Sequence, residues 1–350
     1  MKCIKTTEAV GHVLCHDITQ IIPGEYKGPV FKKGHVVREE DIPVLLSVGK
    51  ENLYIFEMDE SMMHENDAAE VLCSISRGAH MEASPVNEGK IELTAETDGL
   101  LKINRKALRK LNTMGEIVIA SRFGDFPVKA GDKIAGMRVV PLVIAREKME
   151  EAKRAAGEEP IFSLLPFAKK KVGIVVTGNE VKTGRIEDKF SPVVVSKIAE
   201  YGGEPIGCLF PGDDKEEEIA CIRSFIEQGA ELVVCTGGMS VDPDDRTPFA
   251  IREASDRVIS YGAPVLPGAM FMLGYRDIPA GEGKEAGRIP IVGLPGCVMY
   301  AKRTIFDLIL PRLMADDEIT AEELGFLGEG GLCLGCAVCT FPNCGFGKGR

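Results

Sequence analysis

The chain has 350 residues, which exceeds one typical domain and predicts two or more packed units. Apolar residues make up 45% of it, enough for real hydrophobic cores, so wholesale disorder is excluded. The formal net charge of −11 argues against non-specific nucleic-acid binding and against a polybasic membrane surface. A small anionic ligand stays compatible with this charge, because backbone amides can bind it locally.

The chain shows no apolar run of signal-peptide length at its amino terminus and none that approaches a membrane span further on. We therefore expect a cytoplasmic protein. Seven cysteines are scattered, and we expect them to be reduced thiols packed as small hydrophobic side chains: Cys3, Cys15, Cys73, Cys208, Cys221, Cys235 and Cys297.

Residues 1–60 predict short strands separated by glycine-bearing turns at 23–24 and 33–34, followed by a helix over 39–48. A helix is predicted over 63–76, and strands followed by a basic helix over 89–112. That helix region concentrates positive charge, which is either a solvated face or a wall for an anionic ligand: Lys102, Arg105, Lys106, Arg109 and Lys110. Residues 113–146 predict short strands of a small barrel or sandwich, and a charged helix follows.

From residue 171 onward, buried strands alternate with helices. Ser191-Pro192 is expected to open one helix and Asp214 to cap the next. A last long helix is predicted over 298–310, ended or kinked by Pro311. This alternation predicts a mostly parallel, three-layer α/β/α sheet. We expect a β-rich region with short helices over 1–168, divisible into two subdomains, then the α/β domain over 169–315 and a flexible cysteine-rich tail over 316–350.

Three motifs of the α/β region occur in a recognisable order: TGNEV at 177–181, TGGMSVDPDD at 236–245 and GLPGCVMYAKRTIFDLILP at 293–311. Over 170–314 the chain resembles the molybdenum-cofactor biosynthesis fold, shared by molybdopterin adenylyltransferases and molybdopterin molybdotransferases. The β-rich first half is loosely similar to that of the molybdotransferases. Competence-damage proteins carry a similar domain, which leaves a nucleotide pyrophosphatase or amidase relative as a further option.

The motif loops are the expected binding residues. Glycines bring backbone amides close to a phosphate, and the turn at 293–296 precedes a predicted helix with free N–H groups. By resemblance, these loops hold the pterin and phosphate of molybdopterin or its adenylylated form; the alternative is ordinary tight turns. The binding set is Thr177, Gly178, Asn179, Thr236, Gly237, Gly238, Ser240, Pro295 and Gly296.

Acidic side chains in the same loops supply oxygen ligands of the kind Mg²⁺ prefers. Asp242 and Asp244 are the expected metal ligands, and the resemblance implies catalytic roles for Glu180, Asp242 and Asp245. The alternative is that these are turn acids that cap the following helix.

Three positions depart from the family pattern. Asn179 stands where the family usually has Asp, and Cys297 and Val298 replace the Asn-Pro of the last loop. The glycine turns that would bind the ligand through backbone amides remain, while polar catalytic groups are replaced. We therefore expect these replacements to affect catalysis more than ligand binding.

Four further cysteines cluster near the C-terminus: Cys333, Cys336, Cys339 and Cys344. Four thiolates so close in sequence suit Zn²⁺ or an iron–sulfur cluster, and the C-x2-C-x2-C spacing favours [4Fe–4S]. The alternative is redox-active or free thiols on a flexible tail.

Two classes of function follow. The first is an enzyme that inserts molybdate into adenylylated molybdopterin with Mg²⁺ and releases AMP. The second is a non-catalytic molybdopterin carrier or sensor with a metal-binding or redox-active tail. In either case we expect a homodimer or homotrimer, a small-molecule ligand and contacts with other cofactor-assembly proteins, but no nucleic-acid or membrane partner.

Overall fold

The computed structural model describes residues 2–22, 26–55, 60–240, 242, 245–280 and 286–349. Within them the chain forms two compact units. The first comprises residues 1–96, 103–122 and 130–163, and the second comprises residues 97–102, 123–129 and 164–350. The predicted turn at 23–24 lies outside the described residues. The expected division at 168 and 315 stays a prediction, because it concerns which segments fold independently.

Thirteen strands are described before residue 170. They are β1 Lys2–Lys5, β2 Ile18–Ile22, β3 Tyr26–Phe31, β4 Asn52–Ile55, β5 Met62–His64, β6 Met81–Ala83, β7 Lys90–Ala95, β8 Gly99–Ile103, β9 Ile117–Ser121, β10 Phe126–Val128, β11 Lys133–Val139, β12 Val143–Ala145 and β13 Phe162–Pro166. The helices there are α1 Ile42–Ser47, α2 Glu65–Ser76, α3 Arg105–Asn112 and α4 Arg146–Ala156, with short 3-10 helices at Thr6–Glu8 and Glu39–Asp41.

Six strands follow, β14 Lys171–Val176, β15 Glu204–Leu209, β16 Leu232–Thr236, β17 Arg257–Tyr261, β18 Met272–Ile278 and β19 Gly287–Leu294. The helices between and after them are α5 Asn179–Lys182, α6 Phe190–Ala199, α7 Lys215–Glu227, α8 Thr247–Ala254, α9 Ile305–Met314 and α10 Ala321–Phe326. A 3-10 helix covers Gly296–Met299. No described helix is long and apolar enough to cross a membrane.

The β-rich first half is confirmed, but its strands do not form one barrel or sandwich over 113–146. β9 and β11 belong to a four-stranded antiparallel sheet of order β6-β7-β11-β9, and β12 pairs with β5. β10 instead joins β8 and β13 in the second unit. Local patterns identify a strand from its own side chains, whereas its partner depends on distant segments, so the single-barrel prediction was wrong.

The second unit contains a six-stranded sheet of order β15-β14-β16-β19-β18-β17. β15, β14, β16 and β19 are parallel, and β18 runs antiparallel to both of its neighbours. Apolar side chains are buried on both faces of these strands, as parallel sheets require. Val172 and Ile174 face the core with α6 and α9, while Val175 faces the core with α7 and α8. The predicted three-layer α/β/α architecture is confirmed.

The helix α6 starts at Phe190, two residues before the predicted first helical residue Pro192, and its cap is different. Oδ1 of Asp188 accepts hydrogen bonds from the backbone N–H groups of Phe190 and Ser191, at 2.8 and 3.1 Å. Ser191 lies inside the first turn, and its buried hydroxyl has no described partner. The carboxylate of Asp188, three residues before Ser191, therefore accepts from the free amides that we expected Ser191 to cap.

The last long helix, by contrast, begins later than predicted. The segment after Pro295 forms only the short 3-10 helix, and α9 starts at Ile305 with a capping box between Thr304 and Asp307. Pro311 lies inside α9, which continues to Met314. Lys197 and Arg303 both pair with the buried carboxylate of Asp307, at 2.5 and 2.8 Å. These contacts fix the helix start that the local sequence pattern misplaced.

One lysine of the predicted basic patch forms ion pairs within the fold. Nζ of Lys102 lies 2.7 Å from Asp125 and 2.9 Å from Asp317, so this lysine links segments of the second unit.

Asp214 caps α7 as predicted, because its Oδ1 accepts from the N–H groups of Glu216 and Glu217 at 3.0 and 3.1 Å.

Candidate functional site

The three sequence motifs meet at one edge of the second unit's sheet. Val176 pairs with Thr236, and Thr236 pairs with Leu294, so β14, β16 and β19 end at the same level. Each strand is followed at once by its motif loop. This carboxyl edge of a parallel sheet is where open α/β folds bind ligands. The structure thus brings together three loops, of which the first and the last are more than a hundred residues apart in the sequence.

Threonines join the first two loops. The backbone N–H of Thr177 donates to the carbonyl oxygen of Thr236 at 2.8 Å. The Thr177 hydroxyl lies 3.1 Å from the hydroxyl of Thr247, the first residue of α8. Both hydroxyl-bearing residues are buried, so these bonds hold the loops in fixed positions beneath the surface of the edge.

Gly237 and Gly238 are required by the close approach of these two loops. Their φ angles are +85° and +52°. A Cβ on Gly237 would lie 2.5 Å from the carbonyl oxygen of Thr177, and one on Gly238 would lie 2.8 Å from the Thr247 hydroxyl oxygen. Only glycine combines a left-handed backbone with this separation. Gly237 and Gly238 therefore form a tight backbone turn packed directly against Thr177 and Thr247.

The acidic turn after these glycines is held by Asp245. Its Oδ2 accepts from the N–H of Ser240 at 2.7 Å, and its own N–H donates to the carbonyl oxygen of Asp242 at 3.0 Å. The α8 N-cap is Arg246, which makes no side-chain cap bond. Asp245 thus closes its own turn and does not cap the helix. Asp244 lies outside the described residues.

In the first loop, Asn179 and Glu180 are exposed. The Asn179 N–H donates to Oδ2 of Asp213 at 3.2 Å, and its side-chain oxygen lies beside Gly212. The Glu180 carboxylate folds back over Gly178, where a Cβ would lie 2.8 Å from Oε1. The segment after β15 thereby contributes an aspartate to this edge that the motif comparison did not single out.

The third loop offers less than was predicted. Pro295 precedes a single 3-10 turn in which the N–H of Val298 donates to the Pro295 carbonyl oxygen at 3.1 Å. A helix N-terminus with an appreciable dipole does not start here, so that part of the expectation was wrong. Met239 packs instead against Gly293, where a Cβ would lie 2.6 Å from the methionine methyl. This contact joins the second motif to the third.

A buried carboxylic acid, Glu218, lies near the same edge and escaped sequence reasoning. It is 1% exposed, and its Oε2 has no described hydrogen-bond partner. Burial raises its pKa to about 7, although a hydrogen bond from Thr247 opposes the change; the carboxylates of Asp213, Asp214 and Asp245 raise it further. A signal existed, because Glu218 shares a helical stripe with the buried Ile222 and Phe225.

No three His, Cys, Asp or Glu side chains in the described ranges are gathered closely enough to hold a metal ion. Glu180, Asp242 and Asp245 therefore do not form a complete protein cage, and neither do the four C-terminal cysteines. Mg²⁺ and the cysteine-bound metal stay predictions. The seven scattered cysteines are all free thiols, of which Cys15, Cys73 and Cys235 are buried.

Two family models match parts of the chain. Residues 3–57 match a domain of unknown function, and residues 173–315 match the family described as the probable molybdopterin binding domain. The second match covers all three motifs and ends within the turn after α9.

Curated relatives match shorter or more distant stretches. A CinA-like protein of Mycobacterium tuberculosis is 38% identical over 77 residues, which are 22% of this chain and 18% of the relative. A molybdopterin molybdenumtransferase of Synechococcus elongatus is 28% identical over 188 residues, 51% of this chain and 42% of the relative. The chain thus spans less than half the length of either relative.

Solved structures are similar at low identity. The tungsten cofactor synthesizing protein MoaB from Pyrococcus furiosus shares 22% identity with a TM-score of 0.31, over 37% of this chain and 84% of that one. The molybdopterin biosynthesis Mog protein from Mycobacterium ulcerans shares 19% with a TM-score of 0.32, over 41% and 94%. The likeness to this family rests on the sequence match: residues 173–315 match the model described as the probable molybdopterin binding domain.

Proposed function

We propose that the chain binds molybdopterin, free or adenylylated, at the carboxyl edge of β14, β16 and β19, and that with Mg²⁺ it inserts molybdate and releases AMP. Its place is the cytoplasm, as a homodimer or homotrimer that exchanges its ligand with other cofactor-assembly proteins. The ligand occupies the loops at 177–180, 236–245 and 295–296.

The observation that carries this proposal is the cradle of Gly237 and Gly238 against Thr177. Two glycines with left-handed φ angles hold their backbone close to a neighbouring strand end, with buried threonine hydroxyls beneath. Such a turn presents backbone N–H groups without a Cβ in the way, which is how proteins hold phosphate groups. Phosphate is the group that free and adenylylated molybdopterin share.

The charge at this edge supports a role for a divalent cation. Asp213, Asp242, Asp245 and Glu180 all lie in the loops of this edge, so an anionic ligand meets several carboxylates there. Mg²⁺ is commonly held by one or two carboxylates together with substrate phosphates, and not by a cage made of protein alone. The carboxylate donors fit Mg²⁺ in this sense: one or two of Asp242, Asp245 and Glu180 would hold it together with the phosphate, and the cation would offset repulsion and polarise the phosphate.

A second candidate function is a non-catalytic molybdopterin carrier or sensor. Asn179 favours it, because an exposed amide stands where the resembled family usually has a carboxylate. One fewer carboxylate weakens Mg²⁺ binding more than it weakens the backbone cradle. The carrier binds the same ligand at the same edge and releases no AMP.

The two functions separate in one experiment. The full chain is incubated with adenylylated molybdopterin, molybdate and Mg²⁺, and AMP release is followed alongside ligand binding. The enzyme predicts AMP release that requires Mg²⁺ and falls about tenfold or more in Asp242→Asn. Glu227→Gln, an exposed change at the far end of α7, is the matched control and should release AMP as the unchanged chain does. Ligand binding without AMP release would reject the enzyme and support the carrier, and absence of ligand binding would reject both functions.

A further inference from the structure

All four C-terminal cysteines line a single cavity of about 460 Å³ in the second unit. Cys333 and Cys344 are partly buried, whereas Cys336 and Cys339 are exposed on the loop between them. The cavity wall also includes Lys302 and Arg303. We call this space the cysteine cavity. None of the four cysteines belongs to a molybdopterin motif, although residues 300–303 of the third motif help to line the cavity.

Tertiary contacts hold both ends of the cysteine segment in place. The N–H of Cys333 donates to the carbonyl oxygen of Leu266 at 2.8 Å, and the Leu266 N–H donates to Gly331 at the same distance. At the other end, the N–H of Gly347 donates to the carbonyl oxygen of Gly330 at 3.0 Å. The buried ring of Phe346 lies at its side. The segment therefore closes into a loop whose two ends are fixed on the same unit.

The cations of the cavity wall are themselves positioned. Nζ of Lys302 donates to the carbonyl oxygen of Ala337 at 2.8 Å, inside the cysteine loop. The Arg303 guanidinium lies 5.0 Å from the centroid of the Phe341 ring and 2.8 Å from the carboxylate of Asp307. Four thiolates around one centre carry a net negative charge, which the ammonium of Lys302 in the cavity wall helps to offset, whereas Arg303 is paired with Asp307.

The spacing of the four cysteines discriminates between a zinc ion and a cluster. The four thiols line one cavity, although no three His, Cys, Asp or Glu side chains in the described part of the chain already form a closed metal site. Four thiols are a donor set that suits either metal centre, so the order of the cysteines along the chain decides between them. The C-x2-C-x2-C run is the iron–sulfur pattern, whereas zinc ribbons separate two C-x2-C pairs by a longer stretch.

We propose that Cys333, Cys336, Cys339 and Cys344 ligate one [4Fe–4S] cluster in the cysteine cavity. The cluster closes the loop at 333–344 onto the segment 300–303. That segment belongs to the third motif and directly follows the 3-10 turn Gly296–Met299. The cluster thus stabilises the backbone next to the ligand edge. This inference stands apart from the proposed molybdopterin chemistry, because it rests on a different group of residues.

The test uses the full chain, purified without oxygen and reconstituted with ferrous iron and sulfide. We expect about four iron atoms and four acid-labile sulfides per chain, broad visible absorption and a paramagnetic signal after reduction with dithionite. Cys336→Ser and Cys339→Ser should each lower the iron per folded chain by about twofold or more, with folding monitored by circular dichroism. Cys3→Ser, an exposed cysteine of the first unit, is the matched control and should keep the full iron content.

Three outcomes would overturn the cluster. These are one zinc with no iron, a folded chain that takes up no iron on reconstitution, and equal iron contents in Cys339→Ser and Cys3→Ser. None of these readouts involves pterin or AMP, so a failed cluster and a failed molybdopterin function remain distinguishable.

Discussion

The buried carboxyl group of Glu218 should make the stability of the protein depend on pH. Replacing it by Gln in Glu218→Gln keeps the shape and a hydrogen-bond acceptor for Thr247 but removes the ionisation. In the unchanged protein, burial raises the pKa of Glu218 from 4.5 to about 7, so the folded state binds this proton more tightly than the unfolded state does. Its stabilising contribution is complete below pH 4.5 and is lost as the pH rises to about 7.

The magnitude follows from those two values. Each pH unit between them removes about 1.4 kcal/mol from the free energy of unfolding, a total on the order of 3 kcal/mol. Between pH 5 and pH 7.5 we therefore expect the unchanged protein to lose about 2 kcal/mol that Glu218→Gln does not lose. Above pH 7.5 the difference between the two proteins should be constant.

The assay is urea unfolding at pH 5 and pH 7.5, followed by circular dichroism because the chain has no tryptophan. Glu216→Gln, an exposed change on the same helix, is the control and should follow the unchanged protein. If Glu218→Gln and Glu216→Gln show the same pH dependence, Glu218 does not titrate between pH 5 and pH 7.5, and the burial argument is wrong.

Three further predictions concern the edge and its supporting helix. Gly237→Ala should lower the free energy of unfolding by about 2 kcal/mol or more and abolish ligand binding in calorimetry. The control is Gly229→Ala, where φ is +86° but the surrounding space is open; it should lower the free energy of unfolding by about 1 kcal/mol and bind the ligand normally. Asp307→Asn should lower the free energy of unfolding in urea by about 3 kcal/mol, because two cations lose a buried partner. The control Glu150→Gln removes one partner of an exposed ion pair and should lower it by under about 0.5 kcal/mol. Asn179→Asp should tighten Mg²⁺ binding and raise AMP release if the chain is an enzyme; unchanged Mg²⁺ affinity in a titration would contradict a ligand role for this loop.

The sheet of the second unit was predictable because buried parallel strands are continuous apolar runs. The runs at 171–176 and 232–236 have this pattern and end at Thr-Gly, which places two motif loops at one sheet edge. The cap at Asp214 was predictable too, since it acts on amides two and three residues away.

Other features depended on contacts between distant segments. Glu218 ends an acidic run typical of a solvated surface, and the packing of α8 against α7 buries it. The start of α9 depends on Asp307 meeting Lys197 and Arg303, which no local pattern reveals.

The amino-acid sequence by itself determined the alternation of buried strands and helices in the α/β region, the glycine turns at the ends of two strands and a set of four closely spaced thiols. These are local properties, decided by side-chain periodicity, backbone sterics and ligand chemistry. Only the tertiary structure decided that three separate loops share one edge, that Glu218 is buried beside it and that the thiols line one cavity. Burial and proximity arise from long-range packing, and packing depends on the whole chain at once.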